Sequence, residues 1–261
     1  MRSSYLAVHR VGAIAHVELS RPEVRNAFNA ELIAEIDEAF QTLGADASVR
    51  AVVLRGAGTS FCGGADVAWM RASLELSADD NRADARAMSR MFRTIDRCPK
   101  PVVARVHGAA IGGGVGLVAA ADIALAMDDT IFGLTEVKLG ILPAVISPFV
   151  LAKIGRSHAR ALALTGERFG ASRALAIGLV HEIVATSGAL ERAIERVCAE
   201  IATSSPTAIA ATKALFAEVV ESDYDATLES TSRSIAAQRT SPEGQDGLRS
   251  FLEKRTPAWA R

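Results

Sequence analysis

Two glycine-rich segments, Phe61-Cys62-Gly63-Gly64-Ala65-Asp66 and Gly108-Ala109-Ala110-Ile111-Gly112-Gly113-Gly114, carry the residue types from which an oxyanion site can be built. Each follows an apolar, strand-like run and precedes a segment able to turn into a helix. Glycine at such junctions tolerates positive φ and lets another molecule approach bare backbone N–H groups. Two converging loops of this kind would hold one developing oxyanion between two donors, as acyl transfer or enolate formation requires. The second loop opens a helix, whose unpaired amides and dipole add positive potential at Gly112 and Gly113. A tight strand-to-helix turn would use the same residues, so this loop alone does not decide between the two.

A third element is Glu136, within Phe132-Gly133-Leu134-Thr135-Glu136-Val137-Lys138-Leu139-Gly140, with Ile141-Leu142-Pro143 close behind. A carboxylate in such apolar company is either ion-paired, with Lys138 or Lys153 as partner, or desolvated toward general-base range. Competing chemistries fit less well. Leu117 occupies the third glycine position of a dinucleotide fingerprint, and a lysine-bearing phosphate loop is missing. Cys62, Cys98 and Cys198 form no CxxC pair, which speaks against a disulfide framework and a structural zinc site. Cys62 reads as a small buried residue rather than a nucleophile, since no histidine motif offers it a base.

The elements that must position these residues follow from periodicity. Tyr5 to Arg10 and Ala13 to Leu19 read as a hairpin about Val11-Gly12. Asn29 offers an N-cap to a helix with Leu32, Ile33, Ile36, Phe40 and Leu43 on one face. Val49 to Leu54 and Val102 to Val106 are strands entering the two loops. A helix from about Glu75 to Arg97 carries the core stripe Met88, Met91, Phe92 and Ile95. A helix from about Gly113 to Ala120 and a strand at Ile123 to Ala126 follow, and the chain is expected to be mostly helical after Ser147. Recurring strand–strand–helix units suggest a coil of ββα turns. Three helical stretches from about Pro206 to Lys254 present an apolar face including Leu215, Phe216 and Val219, too broad for a lone surface helix.

Composition sets outer bounds. Of 261 residues, 49% are hydrophobic and 23% charged, which suits one large core with at most a small appendage. A net charge of −1 gives no electrostatic reason to seek nucleic acid or an anionic membrane. The apolar stretch from Ala109 to Leu125 is broken by four glycines and Asp122, too interrupted to span a bilayer. The start of the chain shows no targeting pattern, so a cytoplasmic location is expected.

Taken together, SRPEVRNAFN, GAGTSFCGGADVAWM, VHGAAIGGGVGLVAAADIALA, FGLTEVKLGILP and LTGERF resemble, in order and spacing, the enoyl-CoA hydratase/isomerase (crotonase) superfamily. The C-terminal SPEGQDGLRSFLEKRTPAW is similar to that family's ending. The resemblance implies an α/β fold with a ββα spiral core over residues 1–200 and a helical trimerisation region over residues 201–261. It implies a homotrimer, often paired into a hexamer, and an acyl-coenzyme A thioester as substrate. The thioester oxygen would be held by the amides of Ala65 and Gly113, with Glu136 as acid–base group. Arg25, Ala27, Asp66 and Val67 match positions along the nucleotide and pantetheine path, and Gly64 and Gly112 are grouped with them as substrate-binding. Phe251 and Lys254 match positions that reach the coenzyme, sometimes from a neighbouring subunit. No metal or redox cofactor is implied, because coenzyme A is part of the substrate.

Two departures shape the functional expectation. Straight-chain hydratases of the family carry two glutamates; Glu136 matches the second, while the first falls on Gly116. A glycine inside a helix costs ~1 kcal/mol relative to alanine, so Gly116 is expected to leave room beside the substrate β-carbon. Where those enzymes read roughly PGAGG, this chain has Pro143-Ala144-Val145-Ile146-Ser147-Pro148-Phe149. The combination resembles hydratases of methylglutaconyl-CoA and isohexenylglutaconyl-CoA in leucine or acyclic terpene breakdown. The expectation is thus hydration of a branched, methylglutaconyl-CoA-like enoyl-CoA thioester. A Δ3,Δ2-enoyl-CoA isomerase using Glu136 as sole proton shuttle is the rival, followed by a non-catalytic acyl-CoA-binding member.

Overall fold

Alternating side chains set the first element. β1 (Leu6–Val11) and β2 (Ile14–Leu19) form an antiparallel hairpin about Gly12, and β2 buries Ala15, Val17 and Leu19 at every second position. The computed structural model describes residues 5–260. Asn29 caps α1 (Ala30–Ala45), its side chain accepting from the Leu32 amide at 2.9 Å. Leu32, Ile33, Ile36, Phe40 and Leu43 are all buried, the face that helical spacing predicts.

β3 (Ala51–Gly56) runs through the first glycine loop into α2 (Val67–Ser73) and α3 (Ala78–Asp96). The long helix expected from about Glu75 is α3, capped by Ser77; α2 is an additional short helix capped by Asp66. β4 (Val102–Val106), β5 (Ala109–Ile111), α4 (Gly113–Ala120), β6 (Ile123–Met127) and β7 (Ile131–Gly133) follow. The remainder comprises α5 (Ser147–Thr165), β8 (Arg168–Gly170), α6 (Ala171–Ala176), β9 (Glu182–Val184) and α7 (Ser187–Thr203). α8 (Pro206–Glu221), α9 (Tyr224–Thr240) and α10 (Pro242–Glu253) complete it. The chain after Ser147 is mostly helical, as expected, and β8 and β9 are two short strands set within it. At three residues each they are too short to show a period, and their ladder partners β7 and β6 make them strands.

The six-stranded sheet has the order β1-β2-β3-β4-β6-β9, parallel except at the hairpin, and a second sheet has the order β5-β7-β8. One large core is shared by both sheets with α1, α3, α4 and α5, and α4 is buried from Gly114 to Ala120. The opposite face of the larger sheet takes α7, whose Leu190, Ala193, Ile194 and Cys198 meet Val53, Val103 and Leu125. Arg105 crosses that layer, donating to Glu191 at 2.6 Å and to Ser187 at 2.9 Å. Helices α8 to α10 behave differently. Large apolar residues on them stay exposed in the single chain, among them Phe216, Leu228, Phe251 and Leu252.

A buried ion pair locks the start of α2. Arg21 donates to Asp66 at 2.7 Å and to the Ala27 carbonyl at 2.6 Å, and the second Asp66 oxygen accepts from the Ala68 amide at 2.7 Å. Burial alone would raise the Asp66 pKa, but Arg21 and the amides of Ala68 and Trp69 outweigh it and hold the carboxyl below its usual range. The stabilisation is therefore complete above the unfolded value of ~3.9 and is lost as pH falls through the lower folded value. Asp66→Ala, which strands the buried Arg21 charge, is expected to cost about 3–5 kcal/mol at neutral pH. In urea titrations the gap between wild type and variant should be wide near neutrality and close as the medium becomes more acidic than the unfolded pKa.

Candidate active site

Backbone hydrogen bonds stitch four distant segments around the two loops. Phe28 N donates to Gly64 O at 2.7 Å and Asp66 N donates to Phe28 O at 2.9 Å, so the pair straddles Ala65. In a parallel bridge the straddled residue turns its own N–H away from the partner strand. On the other side, Cys62 N donates to Ala109 O and Ile111 N to Cys62 O, both at 3.0 Å. The second loop is tied onward, Ile131 N to Gly108 O at 2.9 Å and Gly112 N to Gly133 O at 2.8 Å. Gly114 permits this closeness, since a Cβ there would stand 2.5 Å from the Cys62 carbonyl oxygen.

Two donors are left over by this stitching. Gly113 is the first residue of α4, where no preceding turn exists to accept its amide. Among the described residues, neither the Ala65 nor the Gly113 amide donates to an acceptor. Both residues line one cavity of about 390 Å³, together with Gly64, Gly112 and Glu136. Trp69, Met70 and Met88 from α2 and α3, and Leu139 and Pro143 to Ile146, complete much of its wall.

Glu136 reaches the cavity from a 3₁₀ turn (Glu136–Leu139) just after β7. Its Oε2 is buried without a hydrogen-bond partner. A Cβ at Gly112, whose φ is 52°, would stand 3.0 Å from the Glu136 Oε1, so the glycine makes space for the carboxylate beside the Gly113 amide. Burial raises the Glu136 pKa, opposed by a bond from its own backbone amide. Neither lysine pairs with it. Lys153 donates to the carbonyls of Ala121 at 2.7 Å and Asp122 at 3.1 Å, and Lys138 makes no ion pair among the described residues. Cys62 is fully buried and its thiol is pushed up to about 12 by desolvation, as suits a packing residue.

The other singled-out positions divide. Asp66 is spent on Arg21 and on capping α2, and Val67 is exposed; neither lines the cavity. Arg25, with φ 55°, accepts from Gly63 N at its carbonyl at 2.7 Å, and Ala27 is buried; both also lie outside the lining. Phe251 and Lys254 lie at the end of α10 and do not reach this cavity within the chain. Met88, read as core with its stripe, packs against the core and also forms part of the wall, while Met91, Phe92 and Ile95 are fully buried. Sequence reasoning passed over Asn26, which binds Arg21 N at 2.9 Å and the Ala57 and Ser60 carbonyls at 2.8 Å each. Its φ of 56° is a conformation asparagine tolerates better than most residues, and that was the available signal.

Gly116 corrects an expectation. It does not line the cavity, and the space beside it is occupied. A Cβ there would overlap Ile146 Cγ2 and stand 2.9 Å from the Phe92 ring, so the glycine admits hydrocarbon packing instead of leaving room for substrate. Gly116→Ala should therefore behave unlike an exposed helical Gly→Ala change. Overpacking of roughly 1–3 kcal/mol outweighs the helix-propensity gain of about 1 kcal/mol. A lowered urea midpoint is expected, and a raised one would show that Ile146 yields without cost.

Known proteins agree with this architecture. The family pattern described as Enoyl-CoA hydratase/isomerase matches residues 9–261. The crystal structure of Pseudomonas aeruginosa AtuE superposes with a TM-score of 0.95 at 39% identity, covering 98% of this chain and 100% of that one. A short-chain-enoyl-CoA hydratase of Clostridium acetobutylicum is 31% identical over 257 residues, 98% of this chain and 97% of its own. A peroxisomal Δ(3,5)-Δ(2,4)-dienoyl-CoA isomerase of Arabidopsis thaliana is 29% identical over 259 residues, 95% and 93% of the two chains. With both sheets, both loops and the C-terminal helices accounted for, the chain belongs to the enoyl-CoA hydratase/isomerase (crotonase) superfamily.

Proposed function

We propose that this protein is an enoyl-CoA hydratase acting on a branched acyl-coenzyme A thioester, with Glu136 as its single acid–base group. The observation that carries the reading is the buried, unpartnered Glu136 Oε2 in the same cavity wall as the two free amides of Ala65 and Gly113. Both amides would donate to the thioester oxygen, each worth about 3 kcal/mol as negative charge gathers there. Glu136 takes a proton from water as the water oxygen bonds to the β-carbon and the C=C electrons move to the thioester oxygen. The resulting carboxylic acid then returns a proton to the α-carbon as the enolate collapses. The hydroxyl and the new C–H arise on one face, because one carboxylate handles both transfers.

The branched chain rests on the pairing of Gly116 with the Ala144–Phe149 segment in the sequence. Isomerisation is the second reading, and the filled space beside Gly116 favours it, since a lone carboxylate suffices to carry a proton between carbons. Exposed apolar residues on α8 to α10 support assembly into a trimer or a pair of trimers, which would bring Phe251 and Lys254 to a neighbouring copy.

A branched 2-enoyl-CoA incubated in heavy-oxygen water should give 3-hydroxy product carrying the label. An unlabelled product with a displaced double bond would replace hydration by isomerisation. Glu136→Gln should lower turnover by about 10²–10⁴ while raising the melting temperature. A raised folded pKa means the side chain's favourable contribution exists below the unfolded value and is lost as pH rises through the folded one. At neutral pH the glutamine thus removes a penalty, and a gain of roughly 2–4 °C per kcal/mol relieved is expected by calorimetry.

A further inference from the structure

His107 stands where β4 gives way to the second glycine loop, and it holds the first loop at two points. Its backbone carbonyl accepts from Phe61 N at 2.9 Å. Its ring Nε2 lies 2.9 Å from the Gly58 carbonyl oxygen, and its Nδ1 lies 3.0 Å from Arg105 Nη1. These partners fix the tautomer. A carbonyl can only accept, so Nε2 carries the proton; a guanidinium can only donate, so Nδ1 is bare. Both bonds therefore require the neutral ring.

The segment so gripped, Gly58 to Phe61, leads directly into the loop that carries the Ala65 amide. Asn26 grips it as well, through the carbonyls of Ala57 and Ser60 at 2.8 Å each. Of these two clamps only His107 titrates. Arg105 is buried and held in place, since Glu191 accepts from it at 2.6 Å and Ser187 at 2.9 Å. A proton added at Nδ1 would face that guanidinium, losing one hydrogen bond and gaining a like charge. Desolvation lowers the His107 pKa; the Gly58 bond and Asp129 oppose it, and Arg105 and Arg55 lower it further. Glu191 bonds to both arginines, and Glu18 pairs with Arg55 at 3.3 Å, which completes the charged surroundings.

We propose that His107 is a positioning residue for the oxyanion site: its neutral ring fixes the Gly58–Phe61 segment and with it the aim of the Ala65 amide, and a proton on the ring releases that hold. The inference rests on the reading above, in which the Ala65 and Gly113 amides receive the thioester oxygen. Acid thus weakens the oxyanion site separately from any titration of Glu136.

Infrared difference spectra of bound butyryl-CoA, heavy-carbon labelled at the thioester carbonyl, report the two amide bonds directly. In Glu136→Gln protein the signal is blind to titration of the acid–base group, and the saturated chain undergoes no reaction. At neutral pH the carbonyl stretch should lie below that of free butyryl-CoA. Acidification below the ordinary histidine value of ~6.5 should return it toward the free position. His107→Gln, added to that background, keeps an N–H for the Gly58 carbonyl and does not titrate, so the lowered stretch should persist into acid. His107→Phe removes both ring bonds and should lose most of the lowering at every pH. In protein that retains Glu136, His107→Phe should cut kcat by about 10–10²-fold, as a misplaced reacting group does. A stretch that ignores pH while His107 is present, or an acid transition that survives in His107→Gln, overturns the inference. Both readouts stand even if His107→Phe does not fold. His9 and His16 are present in every variant, so a surviving transition would be theirs. No lowering at any pH, in any of these proteins, would instead overturn the oxyanion reading beneath it.

Discussion

The backbone ladder through Phe28, Ala65, Cys62, Ala110 and β7 is the constraint on which the rest depends. It extends the small sheet β5-β7-β8 sideways through single bridges, joining segments that are otherwise loops. A loop held by a ladder has its amides assigned: every other donor is consumed by a neighbour, and the intervening ones are aimed elsewhere. The Ala65 amide is free because its two neighbours are bonded to Phe28. The Gly113 amide is free because Gly112 is spent on Gly133 and α4 has only begun. Fixed, unpaired donors are costly in a folded protein unless a ligand accepts from them. Here the cost is met by the same bonds that define the loop geometry.

Glu136 adds a second tension of the same kind. An unpaired carboxylate oxygen removed from water opposes folding at neutral pH, yet the removal is what makes it a stronger base than an exposed glutamate. An ion pair with Lys138 or Lys153 would have relieved the strain and quenched the basicity. Lys153 is instead drawn to the carbonyls at the end of α4, and Asp122 beside them is held by Lys213 at 2.6 Å. Lys153 and Lys213 are thus committed to the segment after α4, Lys138 makes no ion pair among the described residues, and the carboxylate is left to the cavity.

How much of this was legible in the sequence depended on the range of the interaction concerned. The α1 face, the bounds of β4 and α4, and the two loops follow from periodicity, caps and glycine spacing, all local signals. Glu136 could be picked out by its apolar neighbours, but whether a lysine paired with it was a question of fold. β8 and β9 escaped because three residues carry no period. The Arg21–Asp66 pair, 45 positions apart, gave no sign of itself, and Asp66 consequently looked free to meet a ligand. Phe251 and Lys254 were expected at the coenzyme, and within one chain they lie outside the cavity lining.

Gly116 shows why a missing side chain is ambiguous until its surroundings are known. Absence of a carboxylate can mean space for a substrate or space for another part of the protein, and a glycine in a sequence does not distinguish them. Here Ile146 and Phe92, the latter tilted against Phe149 at 5.8 Å, have moved hydrocarbon into the place. That exchange has an electrostatic consequence for the remaining acid. A second carboxylate nearby would raise the Glu136 pKa by like-charge repulsion and share its proton; an apolar wall raises it by desolvation and shares nothing. In the proposed reaction, a proton taken up by Glu136 would then leave by Glu136 as well. One wall residue, Ile146, thereby bears on two properties usually treated apart: the space left beside α4, and the number of groups that could move a proton there.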